Sequence, residues 1–228
     1  MILKSFGCSF IFGSDLHDSA DQLINYNKPV PSQFTWPALL AKDHSMDYKC
    51  FASPGSGNLK IYDKVLSQSI TSKKSIFVIG WSFIDRFDYL TNTFTTGHFD
   101  PVGNQYWSTI SPGAKNQLSL NYYQNIHSQY VDKINTLTYI TGAINTLKEK
   151  NIPFIMTYID DLIFETKWHT SPGILELQNY IRPYMTKFEN KTFLDWTKEK
   201  GFPISETLHP LEEAHQAAFE LIKSYNLV

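Results

Sequence analysis

The chain carries a serine near its start and a histidine near its end, each in a setting that suits nucleophilic catalysis. Ser9 follows a short apolar stretch and a glycine, in the segment Phe6-Gly7-Cys8-Ser9. His209 stands directly before a proline, and Glu206 lies three residues upstream of it. A serine becomes a good nucleophile when a base removes its proton, histidine is the usual base, and a carboxylate on the other ring nitrogen orients it. We therefore predict that Ser9, His209 and Glu206 are the nucleophile, the base and the orienting acid.

The elements that must position these groups follow from the hydrophobic pattern. Four short apolar stretches, at residues 1–6, 48–52, 75–81 and 152–159, are typical of buried strands. Helices are predicted from Trp36 onward and at about 58–70, 121–150, 175–188, 194–200 and 210–226. Short apolar strands that alternate with helices predict an α/β fold of three layers, α/β/α, with a central parallel sheet.

Polar residues follow each predicted strand, where ligands bind in parallel sheets. Ser9 follows the first strand and Gly55 lies in the turn after the second. Their backbone N–H groups are predicted donors to the oxyanion that forms when Ser9 attacks an acyl carbon. Asp160 and Asp161 follow the fourth strand, and a loop cap is favoured over a metal pair because adjacent carboxylates on a strand point to opposite sides.

Three segments resemble the conserved blocks of the SGNH, or GDSL-like, hydrolases. The run from Gly7 to Gly13, G-C-S-x-x-x-G, is similar to the first block, G-D-S-x-x-x-G, which holds the nucleophile. Pro54-Gly55-Ser56-Gly57-Asn58 is similar to the second block, whose glycine N–H is an oxyanion donor, and Glu206-Thr207-Leu208-His209-Pro210 is similar to the last, D-x-x-H-P. The resemblance spans residues 6–215 and implies a flavodoxin-like sandwich that hydrolyses esters through an acyl-serine intermediate.

The third block departs from the family's pattern. There G-x-N-D supplies an asparagine as an oxyanion donor, whereas this chain has Ser82 at that place, with a shorter hydroxyl donor. Arg86, four residues on, and Asn58, in the second block, are the alternatives that could complete the hole. Glu206 and Cys8 also stand where the family has aspartates. The family's aspartate at the place of Cys8 is not part of the triad.

One domain, residues 1–228, is predicted, with an insertion at about 86–120. That segment is rich in Thr, Gly, Asn and aromatic residues and has no helical period. We predict that it forms a lid over the strand ends and shapes an acyl or sugar pocket. Trp168 and His169 either line a substrate cleft or lie on the surface, and His215 is expected to cap or pack within the last helix.

Composition excludes several classes of function. Hydrophobic residues make up 42% and charged residues 18% of the chain, and the net charge is −2, which favours a globular protein that binds neither nucleic acid nor an anionic membrane. Two cysteines form no disulfide framework, and no apolar run approaches the roughly 20 residues of a membrane span. We expect no cofactor and no metal, and a cytoplasmic location in the absence of a leader pattern.

These observations predict a serine esterase that cleaves a carboxylic ester, with an O-acetyl group on carbohydrate favoured over long lipids. The alternative is a catalytically weak or inactive protein of the same fold that serves as a binding or structural module. The G-C-S-F opening and the Trp-Ser third block are also similar to proteins encoded by bacteriophages, which leaves a virus-associated role open. The natural substrate and the oligomeric state are not indicated.

Overall fold

A four-stranded parallel sheet forms the centre of the computed structural model, which describes residues 1–19, 29–71, 74–92, 101–102 and 105–226. Its strands are β1 (Ile2–Phe6), β2 (Asp47–Cys50), β3 (Ser75–Trp81) and β7 (Phe154–Tyr158), in the order β2-β1-β3-β7. In the register, Leu3 of β1 lies opposite Tyr48 of β2 and Ile76 of β3. The predicted parallel sheet is confirmed, and all four strands end at one edge, which we call the carboxyl edge.

Helices cover both faces of this sheet. One face packs on α2 (Trp36–Asp43), α7 (Phe193–Lys200) and α8 (Glu212–Ser224), and the other on α3 (Asn58–Ser69), α5 (Gln129–Glu149) and α6 (Pro172–Ile181). A helical turn, α1 (Ser9–Phe12), follows β1. Successive side chains of β3 alternate between the two cores: Ile76 and Val78 belong to one, Phe77 and Ile79 to the other. The predicted three-layer sandwich is confirmed.

The predicted insertion contains a small antiparallel sheet of β4 (Phe87–Thr91), β5 (Pro101–Val102) and β6 (Gln105–Ile110), in the order β4-β6-β5. Residues 93–100 and 103–104 of the insertion lie outside the described residues. Asp88 of β4 connects this sheet to the main body. Its carboxylate accepts hydrogen bonds from the N–H groups of Gly57 and Lys60, each at 2.9 Å, and from the Thr109 hydroxyl at 2.6 Å. The N-terminus of α3 is therefore capped from the insertion.

The prediction of a single helix at 121–150 is wrong. The structure has α4 (Gln117–Asn125) and then α5, separated by residues 126–128. Side chains cap each helix separately, since Asn116 accepts from the N–H of Ser119 and Ser128 from that of Val131. The helix predicted at 175–188 is also shorter, because α6 gives way to a 3₁₀ turn at Arg182–Tyr184. No helix in the described part of the chain is long and apolar enough to cross a membrane.

Candidate active site

Ser9 lies at the point where β1 meets α1. Gly7 permits this turn because a Cβ atom there would stand 2.9 Å from the carbonyl oxygen of Gly80 and 2.7 Å from the Ile11 side chain. The helical turn ends at Gly13, in the left-handed region at φ 84°. Ser9 is buried to 5% exposure, and its hydroxyl makes no hydrogen bond to another described residue. The close packing of β1 against β3 thus fixes the serine at the carboxyl edge with its hydroxyl unengaged.

His209 is held by a carboxylate that the sequence analysis missed. The Asp15 Oδ2 atom lies 2.7 Å from His209 Nδ1. The same oxygen accepts hydrogen bonds from the hydroxyls of Ser205, at 2.6 Å, and Thr207. With its Nδ1 proton donated to Asp15, the imidazole has Nε2 as a free acceptor, and no hydrogen bond within the described residues uses that atom. Asp15 thus fixes the ring form that a general base needs.

Glu206 does not take the role predicted for it. Residues 205–209 form a tight turn in which the N–H of Leu208 donates to Ser205 O at 3.0 Å and the N–H of Ser205 to His209 O at 2.9 Å. Leu208 completes this turn with φ at 68°. The turn points Glu206 into solvent, where its side chain is exposed. We therefore correct the assignment: Asp15, and not Glu206, orients His209.

The Asp15 carboxylate stays ionised across the physiological range. Partial burial raises its pKa, but hydrogen bonds from Ser205, Thr207 and His209, together with the charge of His209, outweigh burial and lower the pKa to about 2. A charge fixed in this way would stabilise the imidazolium that forms when the histidine accepts a proton.

Two contacts bring the His209 segment to the Ser9 segment. The rings of Phe10 and His209 meet edge to face, with centroids 5.6 Å apart. His17, which follows Asp15, donates its backbone N–H to Glu212 Oε1 at 2.9 Å and places its Nδ1 atom at the same distance. The beginning of α8 is thereby tied to the loop that carries Asp15.

Gly55 presents an unused N–H group at the same edge. It is the exposed residue of the turn after β2, which closes with a hydrogen bond from the N–H of Ser56 to Ser53 O at 3.2 Å. Its φ of 75° is in the left-handed region, which favours glycine over other residues. No described residue accepts a hydrogen bond from the Gly55 N–H, so the group can serve as a donor to a ligand.

The hydrogen-bonding groups of Asn58 are used by the Ser82 backbone and by Thr136. Asn58 Oδ1 accepts from the Ser82 N–H at 2.7 Å, and its amide nitrogen donates to Ser82 O at 3.1 Å and to Thr136 Oγ1 at 3.2 Å. Asn58 is 3% exposed and Ser82 is fully buried. As arranged here neither side chain is an oxyanion donor, which corrects both predictions, and the pair instead fixes the end of β3 against α3.

Arg86 lines a cavity of about 410 Å³, which Asn58 also borders. Its Nη1 atom donates to Ser82 Oγ at 2.9 Å and to Ser56 O at 3.1 Å. The guanidinium lies over the Phe83 ring, 5.1 Å from its centroid, and its other N–H groups have no hydrogen-bond acceptor among the described residues. The insertion and the helices next to it supply most of the cavity wall, including Phe87, Leu118, Tyr122, Val131 and Tyr139. Arg86 therefore combines a fixed position with donors that remain available to a ligand.

Comparison with solved structures decides the fold. The chain is similar to the psychrotrophic esterase EstA from a Pseudoalteromonas species, with a TM-score of 0.53 at 7% identity over 98% of this chain and 94% of that one. A member of the lipolytic protein G-D-S-L family from Veillonella parvula gives 0.52 at 12% identity, over 98% and 97%. The chain has the fold of the SGNH, or GDSL-like, hydrolases.

A carbohydrate esterase whose active site combines catalytic and non-catalytic binding functions also shares the SGNH fold, with a TM-score of 0.51 at 15% identity over 99% of this chain and 68% of that one. No protein-family model and no curated protein matches the sequence. At these identities the likeness concerns the fold, and the chemistry of this chain depends on its own side chains.

Asp160 and His215 have the structural roles that the sequence favoured for them. Asp160 accepts from the N–H groups of Leu162, at 3.0 Å, and Ile84, at 2.9 Å, so it joins the loops after β7 and β3 as a cap. The described residues include no cluster of three or more His, Cys, Asp or Glu side chains that could hold a metal ion. His215 is 1% exposed, and its Nδ1 atom accepts from the N–H of Trp36 at 3.2 Å.

We expect the buried His215 to lower the free energy of unfolding as the pH decreases. Burial lowers its pKa from 6.5 to about 3, against a smaller opposing effect of Glu212. Between these values the unfolded chain binds a proton that the folded chain excludes, so stability decreases as the pH falls. We expect a loss of roughly 3 kcal/mol between pH 7 and pH 4.5 from this residue.

Urea unfolding of His215→Gln measures this contribution, because glutamine keeps an acceptor for Trp36 but does not titrate. The variant should lose less stability than the wild type between pH 7 and pH 4.5. His44→Gln, at a partly exposed histidine after α2, is the matched control and should follow the wild type. Equal pH dependence in wild type and His215→Gln would contradict the prediction.

Proposed function

We propose that this chain is a serine esterase that hydrolyses a carboxylic ester through an acyl-serine intermediate. The observation that carries the proposal is the Asp15–His209 pair, in which Nδ1 is held at 2.7 Å and Nε2 is left open, next to the segment of Ser9. A histidine fixed in this form, a serine with an unengaged hydroxyl and an unused backbone N–H at Gly55 are the parts that acyl transfer requires.

In the proposed reaction, the Ser9 hydroxyl attacks the acyl carbon while His209 Nε2 accepts its proton. The N–H groups of Gly55 and Ser9 donate to the oxyanion of the tetrahedral intermediate. The intermediate collapses as the imidazolium protonates the departing alcohol oxygen. Water then attacks the acyl-serine by the same path in reverse, with His209 as base, and the acid and free Ser9 are released. Asp15 stabilises the imidazolium in both halves.

Arg86 is the proposed replacement for the asparagine that other SGNH hydrolases use. Its Nη1 atom is engaged by Ser82 and Ser56, so the remaining guanidinium N–H groups would contact the substrate. A guanidinium is always charged and donates in a fixed planar geometry, which suits an ester carbonyl that becomes an oxyanion. Ser82 thus supports the proposed donor without acting as one.

The proposed substrate is a small acyl group, such as acetyl, on a carbohydrate. The likeness in fold to a carbohydrate esterase supports this class. The cavity beside Arg86, with Phe87, Tyr122 and Tyr139 in its wall, offers aromatic surface and nearby polar side chains for the rest of such a substrate.

Hydrolysis of p-nitrophenyl acetate and labelling by a fluorophosphonate test the proposal. The wild type should release p-nitrophenol and gain one covalent label, and Ser9→Ala should do neither. Ser14→Ala is the matched control, because Ser14 is a nearby buried serine whose hydroxyl also lacks a partner. Label that persists on Ser9→Ala would identify a different nucleophile, and background rates for both proteins would reject the esterase.

A non-catalytic binding module is the second candidate. It is favoured by one observation: Ser82, at the place where an SGNH hydrolase has its third oxyanion donor, is fully buried, and its hydroxyl accepts a hydrogen bond from Arg86. This candidate predicts saccharide binding by the wild type without turnover of any acetylated substrate.

A further inference from the structure

A second cavity lies at the carboxyl edge, beyond the groups of the proposed reaction. It has a volume of about 290 Å³ and is lined by Ile84, Gln129, Leu162, Trp168, His169 and the Lys133–Glu165 pair. Ile84 follows β3 and Leu162 follows β7, whereas Ser9 follows β1, the other neighbour of β3. Strands are spaced by about 4.8 Å, so the ends of β1 and β7 lie roughly 10 Å apart along this edge.

The most prominent side chain of this cavity is Trp168, which is 70% exposed. An indole is the largest apolar side chain, and a surface loop gains nothing in stability by presenting it to water. Leu162, on the same rim, is 44% exposed. The cavity thus pairs a flat aromatic face with an opening to solvent.

Buried polar side chains hold the loop that carries Trp168. Lys133, with only 3% of its side chain exposed, donates to the carbonyl oxygens of Trp168, at 3.2 Å, and of Glu165. Gln178, 1% exposed, donates to Ile163 O at 2.8 Å and Glu165 O at 3.0 Å. The Glu165 carboxylate accepts from the backbone N–H groups of Lys167 and, at 2.8 Å, Trp168.

Burial of an ammonium and an amide is costly unless each finds partners, and here the partners are the carbonyls of one surface loop. The backbone on both sides of Trp168 is therefore fixed, while its indole is exposed to solvent. A binding residue held in place before the ligand arrives loses little entropy on binding. This arrangement is what a preformed ligand contact requires.

We propose that Trp168 and this cavity form a saccharide subsite, which binds a sugar unit next to the one that carries the ester. The inference rests on the proposed function for its link to catalysis. The apolar face of a pyranose ring stacks on an indole, and the neighbouring Gln129 and His169 side chains supply hydrogen-bonding groups for hydroxyls. An acyl chain fits less well, because Lys133 and Glu165 interrupt the apolar lining.

The test compares two substrates in three variants. Trp168→Ala should raise KM for an acetylated xylo-oligosaccharide roughly ten-fold, with little change in kcat. A ten-fold change corresponds to the binding free energy of a well-placed aromatic contact. Trp168→Phe should keep part of the effect, since a smaller ring still stacks. For p-nitrophenyl acetate, which has no sugar, all variants should match the wild type. Ile70→Ala is the control, because Ile70 is 75% exposed at the far end of α3.

Binding is measured separately from turnover, by calorimetry on Ser9→Ala with and without Trp168→Ala. The probes are unacetylated xylo-, cello- and chito-oligosaccharides, and loss of binding to at least one of them in the double variant supports the subsite. No binding of any probe, or binding that is unchanged by Trp168→Ala, overturns it. An equal loss on both ester substrates also overturns it, since that would indicate a structural role. Trp168-dependent binding in a protein that fails to hydrolyse p-nitrophenyl acetate would reject the esterase and keep the subsite.

Discussion

Replacing His209 with alanine should lower kcat/KM for p-nitrophenyl acetate by roughly 10³- to 10⁶-fold, and Ser9→Ala should have the same effect. Without the imidazole, the proposed base that takes the serine proton is lost. Without the serine, the imidazole has no oxygen nucleophile to activate. The backbone donors at Gly55 and Ser9 would remain, so a small residual rate is expected.

The double variant Ser9→Ala/His209→Ala is the sharper measurement. Residues that act as one unit lose their function together, so the double variant should be no slower than either single variant. His44→Ala, at a partly exposed histidine that follows α2, should keep wild-type activity. Multiplicative losses in the double variant would show that the serine and the histidine act independently, which the proposed mechanism does not allow.

Asp15→Asn should lower kcat by roughly 10²- to 10⁴-fold with KM nearly unchanged. An asparagine can present its N–H₂ group to Nδ1, which places the ring proton on Nε2 and removes the base. Glu206→Gln, at the position that the sequence favoured, should stay within two-fold of wild type because its side chain faces solvent. These two substitutions alter charge and hydrogen bonding equally but at different places.

Steady-state kinetics and thermal unfolding, measured on both variants, separate orientation from folding. A loss of kcat without a matching loss of stability assigns Asp15 to positioning of His209. If Glu206→Gln is the slower variant, the turn at 205–209 must rearrange when substrate binds, and the assignment of Asp15 is wrong.

The sequence predicted the strands of the parallel sheet, which the structure confirms, because apolar runs are a local pattern. It also pointed to Ser9 and His209, which the proposed reaction uses, through short local motifs. Apolar runs of strand length and a short motif around Ser9 can be recognised without knowledge of the rest of the chain. Asp15 could not be recognised in this way. It is one polar residue in a loop, and its partner His209 is 194 positions away, so only the folded chain shows that they meet.

Side-chain availability was equally hidden from the sequence. Asn58 has the right chemistry for an oxyanion donor, yet its amide is used by the backbone of Ser82 and by Thr136. The break between α4 and α5 had a local signal, the cap at Ser128, but apolar residues continue at helical spacing across it. In both cases the sequence contained a local signal, and contacts with the rest of the fold determined the outcome.

The contacts between Asp15 and His209, and between His17 and Glu212, have a consequence for synthesis on the ribosome. Ser9 and Asp15 leave the ribosome well before His209, which is 194 positions after Asp15. A nascent chain that has not yet reached His209 therefore carries Ser9 without its proposed base. Hydrolytic activity, once it appears, would report that the segments around Asp15 and His17 have come into contact with those around His209 and Glu212.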